Sequence, residues 1–368
     1  MQRFAWIDNL RALMIILVVM IHAAVTYSGI GGWYYKENEQ VGMGSTLFFA
    51  FFMTFTQAYF MSLLFMISGY FTRKSLEKKS TGKFLAGRFY RLGVPLLIYV
   101  FILHPLNVKM VYPDLDLMKF YREGIVDLDF FSWTGPMWFV EALLIFTIIY
   151  LLIRKIPLIG RSISWEPKAK SIGFLILLIT ALAFVTRIFF PIGTDVTNLQ
   201  LCYFPAYIVM FFYGIVVHKQ GIFGKIEYQK AIRWLIISVA VGVPVWLLII
   251  IFGGPLKGSM LIEGGLNWPA FCYALWESFF CVTFTFSLTG IFLHRFNRQN
   301  TLQHFLSDNA FGVFVFHAPV LIGLSLLLKG MILPPVLKFL LVFVLAVTAA
   351  FLVSWLIRRI PPLRRLFS

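Results

Sequence analysis

The chain has 368 residues, 60% of them hydrophobic and 13% charged, with a mean hydropathy of +0.84. A soluble globular domain carries about 25% charged residues, so that class is excluded and a polytopic membrane protein remains. A net charge of +16 would suggest nucleic acid in a soluble protein, but here its distribution along the chain points to membrane topology.

Apolar runs of spanning length predict an all-α protein with ten transmembrane helices, at residues 8–28, 46–71, 92–105, 136–153, 172–190, 200–217, 234–252, 269–293, 310–328 and 337–357. The third is the shortest. The first reads as an uncleaved span, because its apolar run is too long for a signal peptide and Asp8 and Arg11 interrupt its start. With the N-terminus inside, only Lys36, Lys109, Lys119, Arg122, Arg187, Lys257, Lys329 and Lys338 fall outside, leaving 24 of the 32 Lys and Arg on the inner side. Both termini are therefore expected in the cytoplasm. Most acids, among them Glu37, Glu39, Asp114, Asp116, Asp127 and Asp129, fall outside, so the net positive charge faces the cytoplasm. Insertion topology and anionic lipid account for such a bias, and so does a cytoplasmic polyanion such as a nucleotide-bearing cofactor. The longest outer loop, 105–135, mixes aromatics with acids and suits a sugar site or a lid. One membrane domain is expected to fill residues 1–368.

Within the first span Arg11 and His22 are separated by ten residues, all apolar. Eleven helical steps of about 100° make three turns plus roughly 20°, so the two share a face about 16 Å apart along the axis. A charge or imidazole is costly inside a bilayer. The pair reads either as two ends of a ligand path or as a snorkelling Arg and a His bonded to a neighbouring helix. Arg88 and Arg91, at i and i+3 beside the third span, could hold a phosphate bidentately or serve as topology signals.

Glu141 and Glu277 are intramembrane acids, able to orient a histidine, bind a sugar hydroxyl or close an ion pair. His317, in Phe314-Val315-Phe316-His317-Ala318-Pro319, is also intramembrane, whereas His104, before Pro105, reads as unremarkable. Cys202, Cys272 and Cys281 form no metal or disulfide pattern, and no converging His set suggests a metal.

Taken in order, these segments resemble the acyltransferase-3 family of bacterial membrane O-acyltransferases. The resemblance rests on Ile7-Asp8-Asn9-Leu10-Arg11 with His22, Phe65-Met66-Ile67-Ser68-Gly69-Tyr70-Phe71, and Arg88-Phe89-Tyr90-Arg91-Leu92-Gly93-Val94-Pro95. Gly135-Pro136-Met137-Trp138-Phe139-Val140-Glu141 and Phe311-Gly312-Val313-Phe314-Val315-Phe316-His317-Ala318-Pro319 complete it. Segments 65–71 and 88–95 look most like the glucans biosynthesis protein C branch. Trp138-Phe139-Val140-Glu141 departs from the Trp-Ser-Leu-x-x-Glu form of the lipopolysaccharide-modifying branch.

The resemblance implies transfer of an acetyl or succinyl group from cytoplasmic acyl-CoA to a carbohydrate hydroxyl outside a bacterial inner membrane. Arg88, Arg91 and Arg11 would hold the CoA phosphates. His22 would act as general base, with Glu141 orienting it or the acceptor. Trp138, Glu277 and His317 are candidate acceptor-binding residues. The expected partners are the bilayer, acyl-CoA and the carbohydrate, with neither nucleic acid nor metal. A glycan or small-molecule transporter is the alternative, although the inverted repeats frequent in transporters are not evident.

Overall fold

A computed structural model describes residues 4–38, 40–154 and 168–367. Glu39 and most of the inner segment expected at 154–171 lie outside the described residues. About 80% of the structure is helical, with no strands among the described residues. Among the described residues ten helices are long and apolar enough to cross a membrane, matching the ten sequence runs. They are α1 (Ala5–Ser28), α2 (Met43–Leu76), α3 (Thr81–Val111), α4 (Trp138–Ile153) and α5 (Ala169–Phe189). The remainder are α6 (Phe204–Gln220), α7 (Tyr228–Phe252), α8 (Trp268–Arg295), α9 (Thr301–Leu327) and α10 (Pro335–Ile357).

The third span departs most from expectation, running 31 residues rather than ending at 92–105. Two π-helical turns, Phe89–Gly93 and Tyr99–Leu103, interrupt it. Each lies just before a proline, Pro95 or Pro105. A proline has no N–H and its ring crowds the carbonyl four residues back, so a wider turn relieves the clash. The Phe101 carbonyl, four residues before Pro105, accepts instead from the Tyr121 hydroxyl.

The contacts divide the chain into two compact units: 1–10, 57–81 and 145–299 form one, and 11–56, 82–144 and 300–368 the other. In the first unit α2 and α6 touch backbone to backbone, because a Cβ at Gly69 would overlap the Phe211 carbonyl and one at Gly214 the Met66 carbonyl. Close approach of this kind substitutes for the hydrophobic effect between helices in lipid. Polar side chains link α7 to α8: Trp276 Nε1 donates to the Gly242 carbonyl at 2.8 Å, and Ser287 Oγ to the Ala231 carbonyl at 2.9 Å. Asn9 holds the connection after α8, donating to the Phe296 and Arg298 carbonyls and accepting from Gln299 Nε2.

In the second unit Gly312 lets the Ser354 side chain pack against α9. Ser354 Oγ donates to the Asn309 carbonyl, and Arg358 Nη1 donates to Asn309 Oδ1 at 2.9 Å. Together these bonds fasten α9 to α10. The second unit contains every candidate site residue except Glu277.

Candidate active site

His22 and His317, 295 residues apart in the chain, meet through an Nδ1–Nε2 hydrogen bond of 3.1 Å. His317 is completely buried, whereas His22 keeps part of its surface exposed. His317 Nδ1 faces the Phe314 carbonyl at 2.8 Å. A carbonyl can only accept, so Nδ1 carries the hydrogen and Nε2 of a neutral His317 is a lone pair. His22 Nδ1 must then donate to it. The remaining ring nitrogen, His22 Nε2, is left as an acceptor, the form a general base requires.

Trp33 covers the other side of this pair. Its ring stacks on His22 with centroids 4.1 Å apart and lies nearly parallel to His317 at 6.3 Å. Its buried Nε1 has no hydrogen-bond partner among the described residues. The loop carrying Trp33 is pinned at Glu37, whose N–H donates to the Thr26 carbonyl at 2.9 Å and whose carboxylate pairs with Lys338. Lys338 is 2% exposed and also donates to the Lys329 and Met331 carbonyls, so one ammonium ties this loop to the α9–α10 connection.

Next to Trp33, a chain of hydrogen bonds begins at Asn107 Nδ2, a pure donor, and reaches the Tyr99 hydroxyl at 3.0 Å. It continues to the Tyr34 hydroxyl at 3.2 Å and ends on His104 Nδ1 at 2.7 Å. Run in this direction, it leaves the proton of His104 on Nε2. Burial pushes the Tyr34 phenol up to about 12, so it remains a donor. Gly135 fits beside these hydroxyls for two reasons. Its φ is +46°, and a Cβ would lie 2.5 Å from the Tyr34 hydroxyl and 2.8 Å from the Tyr99 ring. Trp133 stacks on His104 at 5.5 Å and on Phe120 at 4.5 Å, extending the aromatic surface.

Glu141 lies one turn into α4. The Thr134 side chain hydrogen-bonds it, while its buried Oε2 has no partner among the described residues. Trp138 is partly exposed at the start of the same helix. Arg88 immediately precedes the first π turn of α3, Arg91 lies within it, and the two interact electrostatically. Arg91 is exposed, Arg88 is partly exposed over the Phe84 ring at 5.4 Å, and Arg11 is partly exposed on α1. Adjacent guanidinium groups repel, and a bound dianion relieves the repulsion. The donor set therefore fits a phosphorylated ligand.

A family model described as an acyltransferase domain (acyltransferase-3) matches residues 4–359. The chain belongs to the acyltransferase-3 family. It is accordingly an integral-membrane O-acyltransferase. No curated protein and no solved structure is similar enough to the chain to count as a match.

The acyltransferase-3 match extends across both compact units, so Glu277 belongs to the same family domain as the histidine cluster. It sits in the first unit as the ion partner of Arg187, whose guanidinium lies 5.5 Å from the ring centres of Tyr203 and Tyr273. His317, grouped by sequence with the acceptor, lies behind His22 with no exposed surface. Sequence reasoning did not single out Trp33, Tyr34 or Lys338, and it passed over His104. Two signals were present: aromatics following a glycine pair in Gly31-Gly32-Trp33-Tyr34-Tyr35, and a lysine four residues beyond Pro334 at the start of an apolar helix.

Proposed function

We propose that this acyltransferase moves an acetyl or succinyl group from cytoplasmic acyl-CoA to a carbohydrate hydroxyl on the opposite side of a bacterial inner membrane, with both termini cytoplasmic. The hydrogen-bond chain that leaves Nε2 of His22 as an acceptor carries the reading. Arg88 and Arg91, joined by Arg11, bind the CoA phosphates, and α1 guides the pantetheine arm toward His22. The acceptor enters past Trp33 and Trp138, and its hydroxyl is oriented by Glu141.

His22 Nε2 takes the hydroxyl proton as that oxygen attacks the thioester carbon. A C–O bond forms, the C–S bond breaks, and the proton passes from Nε2 to the departing CoA sulfur. His317 is a positioning residue: its Nε2 accepts from His22 Nδ1, stabilising the charge that develops when His22 is protonated. Cys202 and Cys281 are buried, and among the described residues no Ser or Cys side chain hydrogen-bonds either histidine ring as a candidate nucleophile for a covalent intermediate.

Purified protein supplied with labelled acyl-CoA and a glucan acceptor tests this. His22→Ala is expected to lower turnover by about 10²- to 10⁴-fold while its melting temperature and donor binding persist. Wild-type turnover in that variant removes His22 from the mechanism. Label left on CoA, with none reaching a carbohydrate in the wild type, removes the acceptor class.

A further inference from the structure

The first unit contains a cavity of about 240 Å³, away in sequence from every residue assigned to the transfer. It opens where α5 and α7 begin and α8 ends, at the membrane surface that carries most of the Lys and Arg by sequence. Lys168, Lys225 and Lys230 line it, together with one acid, Glu227. All four are exposed, and their formal sum is +2. Glu227 already accepts from Lys230 at 2.8 Å in a mostly solvated pair, so it offsets little of the positive field. Lys168 and Glu227 are the N-cap residues of α5 and α7, and neither side chain caps its helix. The positive ends of two helix dipoles therefore add to the lysines.

The floor is of the opposite character. Ile172, Ile226, Ala231, Trp234 and Phe286 form it, and of these only Trp234 retains appreciable exposure. The site is also preformed. His294 Nε2 donates to the Ile226 carbonyl at 2.8 Å, and a Cβ on Gly290 would crowd Ala231 and Ile226. An apolar floor beneath a cationic rim is poorly matched to a free phosphate ion, which needs donors on several sides. It matches a phosphodiester whose other substituents are hydrocarbon, with an interfacial tryptophan beside them.

We propose that this cavity binds the headgroup phosphate of an anionic phospholipid from the leaflet at that surface. Lys225 and Lys230 face the phosphate, and Trp234 and Phe286 contact the glycerol and upper acyl region. The proposal does not depend on the transfer reaction or on the identity of its substrates.

Native mass spectrometry of the full-length protein, loaded with phosphatidylglycerol or with phosphatidylcholine of the same chains, tests it. One phosphatidylglycerol is expected to survive collision energies that strip phosphatidylcholine. The single variant Lys225→Ala should weaken retention about 5-fold, and Lys225→Ala with Lys230→Ala about 30-fold. Lys225→Arg with Lys230→Arg should retain the lipid. Equal retention of the two lipids overturns the proposal, as does undiminished phosphatidylglycerol in an alanine variant that melts like wild type. Displacement by inorganic phosphate at the lipid's own concentration assigns the cavity to a soluble phosphate and overturns the lipid source.

Discussion

Each compact unit buries a polar pair contributed by helices distant in sequence, and the two pairs, Arg187–Glu277 and His22–His317, differ in kind. Arg187 and Glu277 form an ion pair with side chains 0% and 8% exposed, walled by Tyr203 and Tyr273. His22 and His317 form a neutral hydrogen bond in which only the inner partner is sealed. The ion pair is closed to solvent, and Arg187 Nε and Nη1 and Glu277 Oε1 have no hydrogen-bond partner among the described residues. A pair sealed on one side and open on the other has a fixed orientation and a reactive edge. Exposure of one partner therefore distinguishes the histidine pair from the ion pair, although both look alike as intramembrane polar residues in the sequence.

The contrast breaks most decisively at the ion pair. Arg187→Ala leaves the Glu277 carboxylate buried alone and is expected to cost about 3–5 kcal/mol of stability, whereas Arg187→Met with Glu277→Leu restores most of it. Thermal melts in detergent measure both, and a single variant as stable as wild type would make the pair dispensable. His317→Ala tests the other half. It should lower kcat about 10- to 100-fold with KM for acyl-CoA unchanged, and His317→Asn should restore part of kcat by returning an acceptor to His22 Nδ1. A merely structural His317 would show loss of folded protein instead of this split.

Smaller effects sharpen the comparison further. Arg88→Ala or Arg91→Ala should weaken acyl-CoA binding about tenfold by calorimetry while acceptor KM holds, because each removes a charged hydrogen bond. Equal affinity would return the two arginines to topology alone. The smallest effect is alkaline. Tyr34 titrates near 12 in the folded protein and near 10 when unfolded, so its contribution is complete below pH 10 and is lost between about pH 10 and 12. Melts across that range should show a loss of stability that Tyr34→Phe reduces.

The ten spans were legible because apolar length is a strong signal and needs no knowledge of neighbours. The third helix is longer than its apolar run because its inner end carries Lys83, Arg88 and Arg91, and because the π turns displace the helical period that sequence patterns follow. His22, Arg11 and Glu141 stood out as polar residues in apolar surroundings. The contact between His22 and His317 did not, since nothing local relates two positions 295 residues apart. Nor did the sequence divide Glu277 from the histidines. An intramembrane acid announces itself by composition, but its partner is set by packing. Trp33 was hidden for another reason: aromatics just outside a span are ordinary interface residues until a fixed loop lays one over a ring such as that of His22.

The two wide turns of α3 have a consequence for how the ends of one helix are addressed. A π turn corresponds to a single residue inserted into an α-helix, and each insertion rotates the downstream stretch of helix by roughly 100° relative to the upstream stretch. The first insertion follows Arg88 and contains Arg91, while the second begins at Tyr99 and precedes Asn107. The angle between the inner cationic edge and the outer hydroxyl chain is thus set by the number of residues in the helix, not by its tilt. A single rod behaves as three short segments with independent headings, so two prolines let one span serve two surfaces that a regular helix would hold at a different angle.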